Sequence, residues 1–343
     1  MSYQGFSSPL KLRSWTEVRK GDFEKNQRGE IVENLSGNKN SRGSMISLGN
    51  FDGVHCGHRK ILETLVLESH RSNLDPILLT FEPHPRYYFR PDEKPSLLTT
   101  PREKIELLQA WPIEVIPLAF DKALAELEPE DFITHFLQER LQGERFLFGH
   151  DHRFGKGARG DLALMRKMIP NPDENVLMLP PLKMDGEVVS SSAIRMALDS
   201  ADIVKVNGLL GRPFSYMGQV IRGDGRGTIL GFPTANLDLG YSNKAVVAYG
   251  VYGGRAFLKS TGEEFIAIAN IGRTPTFAGQ EQKIEVHLLN FDGHLYDQEL
   301  RFDLHFHIRP EIKFPSIEAL KHQIGQDITK LHQMIGQNGF EKL

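Results

Sequence analysis

One cysteine, Cys56, stands in a chain of 343 residues. No disulfide can form within the chain, and a reducing compartment is the expected setting. Basic residues are not in excess either. Lys and Arg number 41 against 44 Asp and Glu, a formal net charge of −3. Nucleic-acid binders show a basic surplus or stripe, so no nucleic-acid partner is expected. Long apolar runs are missing as well. None approaches the ~18 residues that span a bilayer, and the opening stretch has no apolar core of a secretory signal. These absences together predict a cytoplasmic protein that works away from membranes. What is there is ordinary globular composition, 40% hydrophobic and 25% charged, without internal repeats or low-complexity segments. The length exceeds what one core usually serves, so two domains are expected.

The chain changes character near residue 200. Before it, 45–48, 76–81, 114–118, 146–149 and 176–179 are short apolar runs that read as buried strands. Between them, 58–70 places Ile61, Leu62, Leu65 and Val66 on one helical face, and 130–141 does so with Phe132, Ile133, Phe136, Leu137 and Leu141. Alternating strands and helices imply a mostly parallel sheet covered on both faces. Ligands in such sheets lie where strand ends lead into helices. Beyond residue 212 the period becomes two. Leu300, Phe302, Leu304, Phe306 and Ile308 alternate with Arg301, Asp303, His305 and His307, which places both histidines on a solvated face. Ile284, Val286 and Leu288 alternate with Lys283, Glu285 and His287. Further strand signals at 216–222, 246–258 and 265–270 predict a small antiparallel barrel, closed by a helix over 317–335. The expected division is a lead-in at 1–44, an α/β domain at 45–205 and a barrel domain at 206–343.

Residues 49–58 read GNFDGVHCGH, with two histidines three apart among glycines after the first strand. A plain strand-to-helix turn would explain them, and a metal centre would need further ligands that the neighbourhood does not offer. A phosphate site is the other reading, although a histidine pair at this spacing, taken alone, is more often structural than catalytic. Glycines let the backbone approach a triphosphate, a helix N-terminus supplies N–H donors, and His55 and His58 stand ready to stabilise charge on a phosphoryl group. A second element, VSSSAIR at 189–195, opens a helix with serines at its cap and Arg195 a turn later. It reads equally as a good cap or as an anion site. Together the two resemble the HxGH and Ser-Ser-Thr-x-x-Arg signatures of the nucleotidylyltransferase superfamily, with Ser192 where threonine is usual and the hydroxyl retained.

TFEPHP at 80–85 and FGHDHRFGKGARGD at 148–161 fall between those elements. The series resembles the FMN adenylyltransferase half of bacterial bifunctional riboflavin kinase/FAD synthetases. GDGRGTILGFPTANL at 223–237, NIGRTPTF at 270–277, IEVHLL at 284–289 and RPEIKF at 309–314 are similar to the riboflavin kinase module of the same family. The resemblance runs over about 45–335. It implies an α/β nucleotidylyltransferase domain, Rossmann-like and of the HxGH type, followed by a small antiparallel β-barrel riboflavin kinase domain with a C-terminal helix. It also implies two reactions: riboflavin and ATP give FMN, then FMN and a second ATP give FAD and pyrophosphate, both with Mg²⁺.

The resemblance also implies roles for particular residues. His55 and His58 are expected to be catalytic in adenylylation, with Gly49, Asn50, Phe51, Asp52, Gly57, Ser191, Ser192 and Arg195 around its ATP. Gly225, Gly227 and Gly231 are expected at the kinase ATP, although Asp-Gly is also a hairpin signal and the loop is neither a Walker loop nor GxGxxG. Thr234 and Asn236 carry the side-chain oxygens that a hard cation prefers. Glu285 takes the place of the general base for the ribityl 5′-hydroxyl, where a solvated strand face would otherwise account for it. Phe81 and His84 in the first half, and Arg309 and Glu311 in the second, are expected at the flavin. A local salt bridge is the plainer account of the last pair.

Other residues depart from the family pattern too. His152 stands where phenylalanine is usual, and Asp297 where glycine is usual. Aspartate there is costly if the turn needs a positive φ. A single-activity FMN adenylyltransferase with an impaired kinase half therefore stays open. So does a non-catalytic flavin-binding regulator, although that would be expected to lose Glu285, Asn236 or a motif histidine. A cytidylyltransferase would leave the barrel motifs unexplained. Oligomeric state is not legible.

Overall fold

The computed structural model describes residues 23–25, 31–33, 42–90, 92–93, 95–223, 225–276 and 279–337. Most of the lead-in, together with Asp224 and Phe277 of the two barrel motifs, lies outside them. Contacts divide the chain into two compact units between Ser191 and Ser192.

The first unit holds five parallel strands: β1 (Ser44–Leu48), β2 (Asp75–Glu82), β3 (Glu114–Ala119), β4 (Gly143–Gly149) and β5 (Val176–Leu179). Their order is β3-β2-β1-β4-β5, with every pairing parallel. All five residues of β1 are buried, which is why it reads as a continuous apolar run and not as an alternation. One face packs Ile46, Leu48, Ile77 and Leu79 against Phe132, Ile133 and Phe136. The other packs Met45 and Leu78 against Leu62 and Leu65 of α1 (Cys56–Ser72). The helix expected over 130–141 is a short α-turn, Pro129–Asp131, followed by a π-helix, Phe132–Arg140. The Leu141 N–H reaches Phe136 O at 3.1 Å, the five-residue bond of that winding. Its buried residues are Phe132, Ile133, Phe136 and Leu137, and Leu141 at its C-cap is buried as well.

The second unit begins with α2 (Ser191–Asp199), whose first residue lies at the division, and Ile203–Leu210. It then closes six antiparallel strands into a barrel: β6 (Phe214–Ile221), β7 (Ala235–Asp238), β8 (Gly250–Leu258), β9 (Glu264–Thr276), β10 (Gly279–Leu288) and β11 (Glu299–Pro310). Their order is β6-β7-β10-β9-β8-β11, and β6 pairs with β11 to complete the ring. The terminal helix α3 (Ile317–Gln337) buries Leu331 and Ile335 against Val251, Ile268, Phe306 and Ile308.

The strict alternation expected over 300–308 is broken twice. Along β8, Gly254 pairs with Leu304 and Gly253 with Phe306, passing over His305; Tyr252 pairs with His307 and Val251 with Arg309, passing over Ile308. An extra residue in a strand changes which face the following side chains take. Phe306 and Ile308 thus pack under α3 instead of continuing the row of Leu300, Phe302 and Leu304. The solvated placement of His305 and His307 is corrected by the same shift. Both are half-buried, and the His307 ring lies 5.1 Å from that of Tyr252. Burial, helped by the Arg255 charge, lowers His305 to about 4, and burial lowers His307 as well. Among the described residues no helix is long and apolar enough to cross a membrane.

Candidate active sites

The segment after β1 is held by bonds from several places. Gly49 N–H donates to Leu79 O at 3.0 Å, and the Thr80 hydroxyl donates to Asn50 O at 3.2 Å. Asp52 is buried. Its Oδ1 accepts from Leu98 N–H at 2.8 Å and Thr99 N–H at 3.3 Å, and its carbonyl accepts from Ser191 Oγ at 3.0 Å. Gly53 N–H donates to Thr99 Oγ1 at 3.1 Å. Between these ties, Phe51 and Val54 adopt φ of 50° and 39°. A β-branched residue takes that conformation only where its surroundings dictate it, and such residues gather at functional sites.

His55 caps α1. Its Nδ1 accepts from His58 N–H at 3.3 Å, and the two rings stack with centroids 3.6 Å apart and planes 14° off parallel. A Cβ on Gly57 would stand 3.1 Å from the His55 ring, so glycine makes room for the stack. The Phe51 ring backs His58 at 4.8 Å. No acidic residue occupies the first turn of α1, so no carboxylate there offsets the positive end of the helix dipole. The arrangement presents two imidazoles at the positive end of a 17-residue helix.

Gly49, Asn50 and Phe81 line a cavity of about 520 Å³, with Phe120, His152 and Phe154. The His152 ring stacks on Phe148 at 5.3 Å, and burial lowers it to about 4 against the opposing pull of Asp151. It is a flat, neutral ring at physiological pH, so the apolar contact expected of phenylalanine is kept. His84 is not among the lining residues. It caps Pro85–Phe89, its Nδ1 accepting from Arg86 N–H at 3.2 Å, and that helix carries Phe89 into the cavity wall. Ser192 is exposed and Arg195 half-buried on α2. Sequence reasoning missed the segment 98–104 that grips the loop. Its signal was the capping box Thr100-x-x-Glu103.

In the barrel, Gly227, Thr234, Glu285, Arg309 and Glu311 meet around a cavity of about 380 Å³. Gly225 and Gly231 flank the short helix Arg226–Leu230 with φ of 70° and 85°. A Cβ on Gly227 would fall 2.5 Å from Phe232 O. Glu285 pairs with Asn236 on one side and Asn270 on the other, and Lys283 Nζ lies 3.1 Å from its carboxylate. Its flanking residues Ile284 and Val286 are buried, and it faces the cavity half-buried, not open solvent. Asn236 is buried, and its Oδ1 has no hydrogen-bond partner among the described residues.

The ion pair of the RPE segment is not local. Arg309 Nη2 lies 2.9 Å from Asp327 of α3, with both Asp327 oxygens 3.0 Å from Nε, and Gln323 donates to the same carboxylate at 3.0 Å. Glu311 is exposed at the cavity rim. Asp297 does take a positive φ, 63°. Its N–H reaches Val220 O at 3.0 Å and Gln298 N–H reaches Leu295 O at 3.1 Å, so the turn closes with aspartate in place.

Comparison with known proteins covers both units. Residues 37–193 match the family model of FAD synthetase and residues 210–335 that of riboflavin kinase. The bifunctional riboflavin kinase/FMN adenylyltransferase of Escherichia coli K12 is 36% identical over 307 residues, 89% of this chain and 96% of its own. That of Haemophilus influenzae is 36% identical over 301 residues, 87% and 97% respectively. That of Pseudomonas fluorescens is 35% identical over 289 residues, 84% and 92%. A crystal structure described as a macrolide-efflux protein from Streptococcus pneumoniae shares the fold with a TM-score of 0.78 at 25% identity, covering 88% of this chain and 97% of that one. The efflux description belongs to that protein; the family models and these curated relatives name flavin chemistry.

Proposed function

The chain belongs to the bifunctional riboflavin kinase/FMN adenylyltransferase family, and on that premise we propose how its residues divide the work. The enzyme phosphorylates riboflavin with ATP to give FMN, and adenylylates FMN with ATP to give FAD and pyrophosphate.

In the barrel, Glu285 is the general base. It takes the proton of the ribityl 5′-hydroxyl as that oxygen attacks the γ-phosphorus of ATP. The observation that carries this assignment is its place: a half-buried carboxylate on a rigid strand, facing a cavity and paired across the sheet with Asn236. Lys283 holds the direction of the carboxylate. Thr234 and Asn236 would hold Mg²⁺. The buried Asn236 Oδ1, which has no hydrogen-bond partner among the described residues, suits a hard cation. When bound, the ion supplies neutralisation of charge on phosphate oxygens. Gly225, Gly227 and Gly231 let the main chain come close to the triphosphate. Arg309, fixed by Asp327, and Glu311 wall the flavin side.

In the α/β unit the FMN phosphate attacks the α-phosphorus of ATP. His55 and His58 stabilise the charge that develops as pyrophosphate departs. Gly49, Asn50, Phe51 and Gly57 offer main chain to the nucleotide, while Asp52 shapes the loop through its backbone bonds. Ser191, Ser192 and Arg195 hold phosphate oxygens. Phe81 walls the flavin, and His84 supports that wall from its cap. The corresponding domains are 45–205 and 206–343, and the cytoplasm, where ATP is plentiful and thiols stay reduced, is the proposed location.

Purified protein incubated with riboflavin and Mg-ATP should yield both FMN and FAD on chromatography, and excess chelator should stop both. Undiminished product in chelator overturns the metal assignment. FAD from supplied FMN without FMN from riboflavin points to the single-activity reading, and neither product points to the regulator.

A further inference from the structure

Helix Pro101–Gln109 buries a lysine. Lys104 is 5% exposed, and its three N–H donors meet three acceptors. Glu82 Oε1 lies at 2.5 Å, Phe81 O at 3.1 Å and Asn50 O at 3.3 Å. Glu82 is 4% exposed, and its Oε2 is buried with no hydrogen-bond partner among the described residues. Desolvation of two charges roughly cancels their attraction. An apolar pair would fill the space about as well. It could not, however, donate to two carbonyls from two different segments.

Those segments are the two sides of the first site. Asn50 belongs to the histidine loop after β1 and Phe81 to the end of β2, and both line the 520 Å³ cavity. Thr80 supplies a second donor to the Asn50 carbonyl at 3.2 Å. The residues just before the helix grip the same loop, Leu98 and Thr99 at Asp52 and Thr99 at Gly53. Within the segment 98–104, Lys104 grips both the loop and β2, beside the direct bonds of Gly49 to Leu79 and of Thr80 to Asn50.

We propose that Lys104, held by Glu82, is a positioning residue for adenylyl transfer: it sets the ATP-binding loop at a fixed spacing from the flavin wall. The proposal rests on the reading of the first site given above. Where placement governs the rate, an error of about 1 Å costs on the order of 10²-fold.

In the full-length chain, Lys104→Met should lower kcat for adenylylation of supplied FMN by roughly 10- to 100-fold. KM for ATP and FMN should change little, and riboflavin phosphorylation should stay parental. Since this variant strands the Glu82 charge, Glu82→Leu/Lys104→Met is made beside it. The double variant should recover the parental melting temperature without recovering the rate. Thr80→Val removes the second donor to Asn50 and leaves the ion pair; it should lower the same kcat by a smaller factor. Parental kcat in Lys104→Met, full recovery of the rate in the double variant, or an equal fall in riboflavin phosphorylation overturns the proposal. If neither Lys104 variant folds, Thr80→Val decides: parental kcat overturns it and a fall supports it. His58→Ala separates the premise from the proposal. Should His58→Ala keep full adenylylation, the reading of the site fails. Should it lose adenylylation while Lys104→Met keeps it, only the role of Lys104 fails.

Discussion

The loop that leads to the His55 cap and to His58 in the first turn of α1 has no strand ladder of its own, whereas Glu285 sits in a strand paired on both sides, to Asn236 and to Asn270. The loop is held instead by distant ties. Leu98 reaches Asp52 across 46 residues, Lys104 reaches Asn50 across 54, and Ser191 reaches Asp52 across 139. It stores a left-handed Val54 between them. Glu285 needs no such clamp, because sheet register already sets its spacing from Asn236 and Asn270. A site on a ladder depends on few residues outside its strands, while a site on a loop depends on whatever grips the loop.

That contrast can be broken by exchanging losses. Glu285→Gln should lower FMN formation by about 10²–10⁴-fold and leave adenylylation of supplied FMN intact. His58→Ala should do the reverse, with FMN accumulating and FAD formation falling by about 10²–10³-fold. Separation of FMN from FAD over time checks both. One variant that abolished both reactions without unfolding would mean a single shared site.

Dividing the chain sharpens the comparison. Pieces cut after Lys205 should each fold by circular dichroism, the first adenylylating FMN and the second phosphorylating riboflavin. That cut falls inside Ile203–Leu210, which buries Ile203, Val206, Leu209 and Leu210, and whose Asn207 donates to Leu304 O at 2.8 Å. A cut after Ser191 spares this helix and should leave the barrel piece with the higher melting temperature. Two insoluble pieces from either cut would defeat the two-core account.

The smallest expected effect lies at His152. Its folded value of about 4 is below the ordinary 6.5, so the stability it contributes is present above pH 6.5 and lost as pH falls toward 4. At pH 5 the loss is about 2 kcal/mol. His152→Phe should remove that loss, seen as a smaller drop in melting temperature of the first unit between pH 7.5 and pH 5. An unchanged drop would mean that the imidazole is already charged or solvated.

Hydrophobic period alone determined the two cores, the parallel sheet, the barrel and the placing of Glu285 opposite Ile284 and Val286, because these follow from which neighbours along the chain share a face. Glycine and histidine spacing singled out residues 49–58 but left a plain strand-to-helix turn open beside a phosphate site. Tertiary structure decided the rest. Two residues passed over in the β8–β11 pairing turned Phe306 and Ile308 under the terminal helix and half-buried His305 and His307, although the sequence alternates without a break. Arg309 found Asp327, 18 residues on, and Lys104 found Glu82, Phe81 and Asn50. A bulge shows only in the pairing of two strands, and a long-range ion pair only when its partners meet. Neither leaves a period in the sequence, since the energy that selects them comes from contacts between segments and not from any one segment alone.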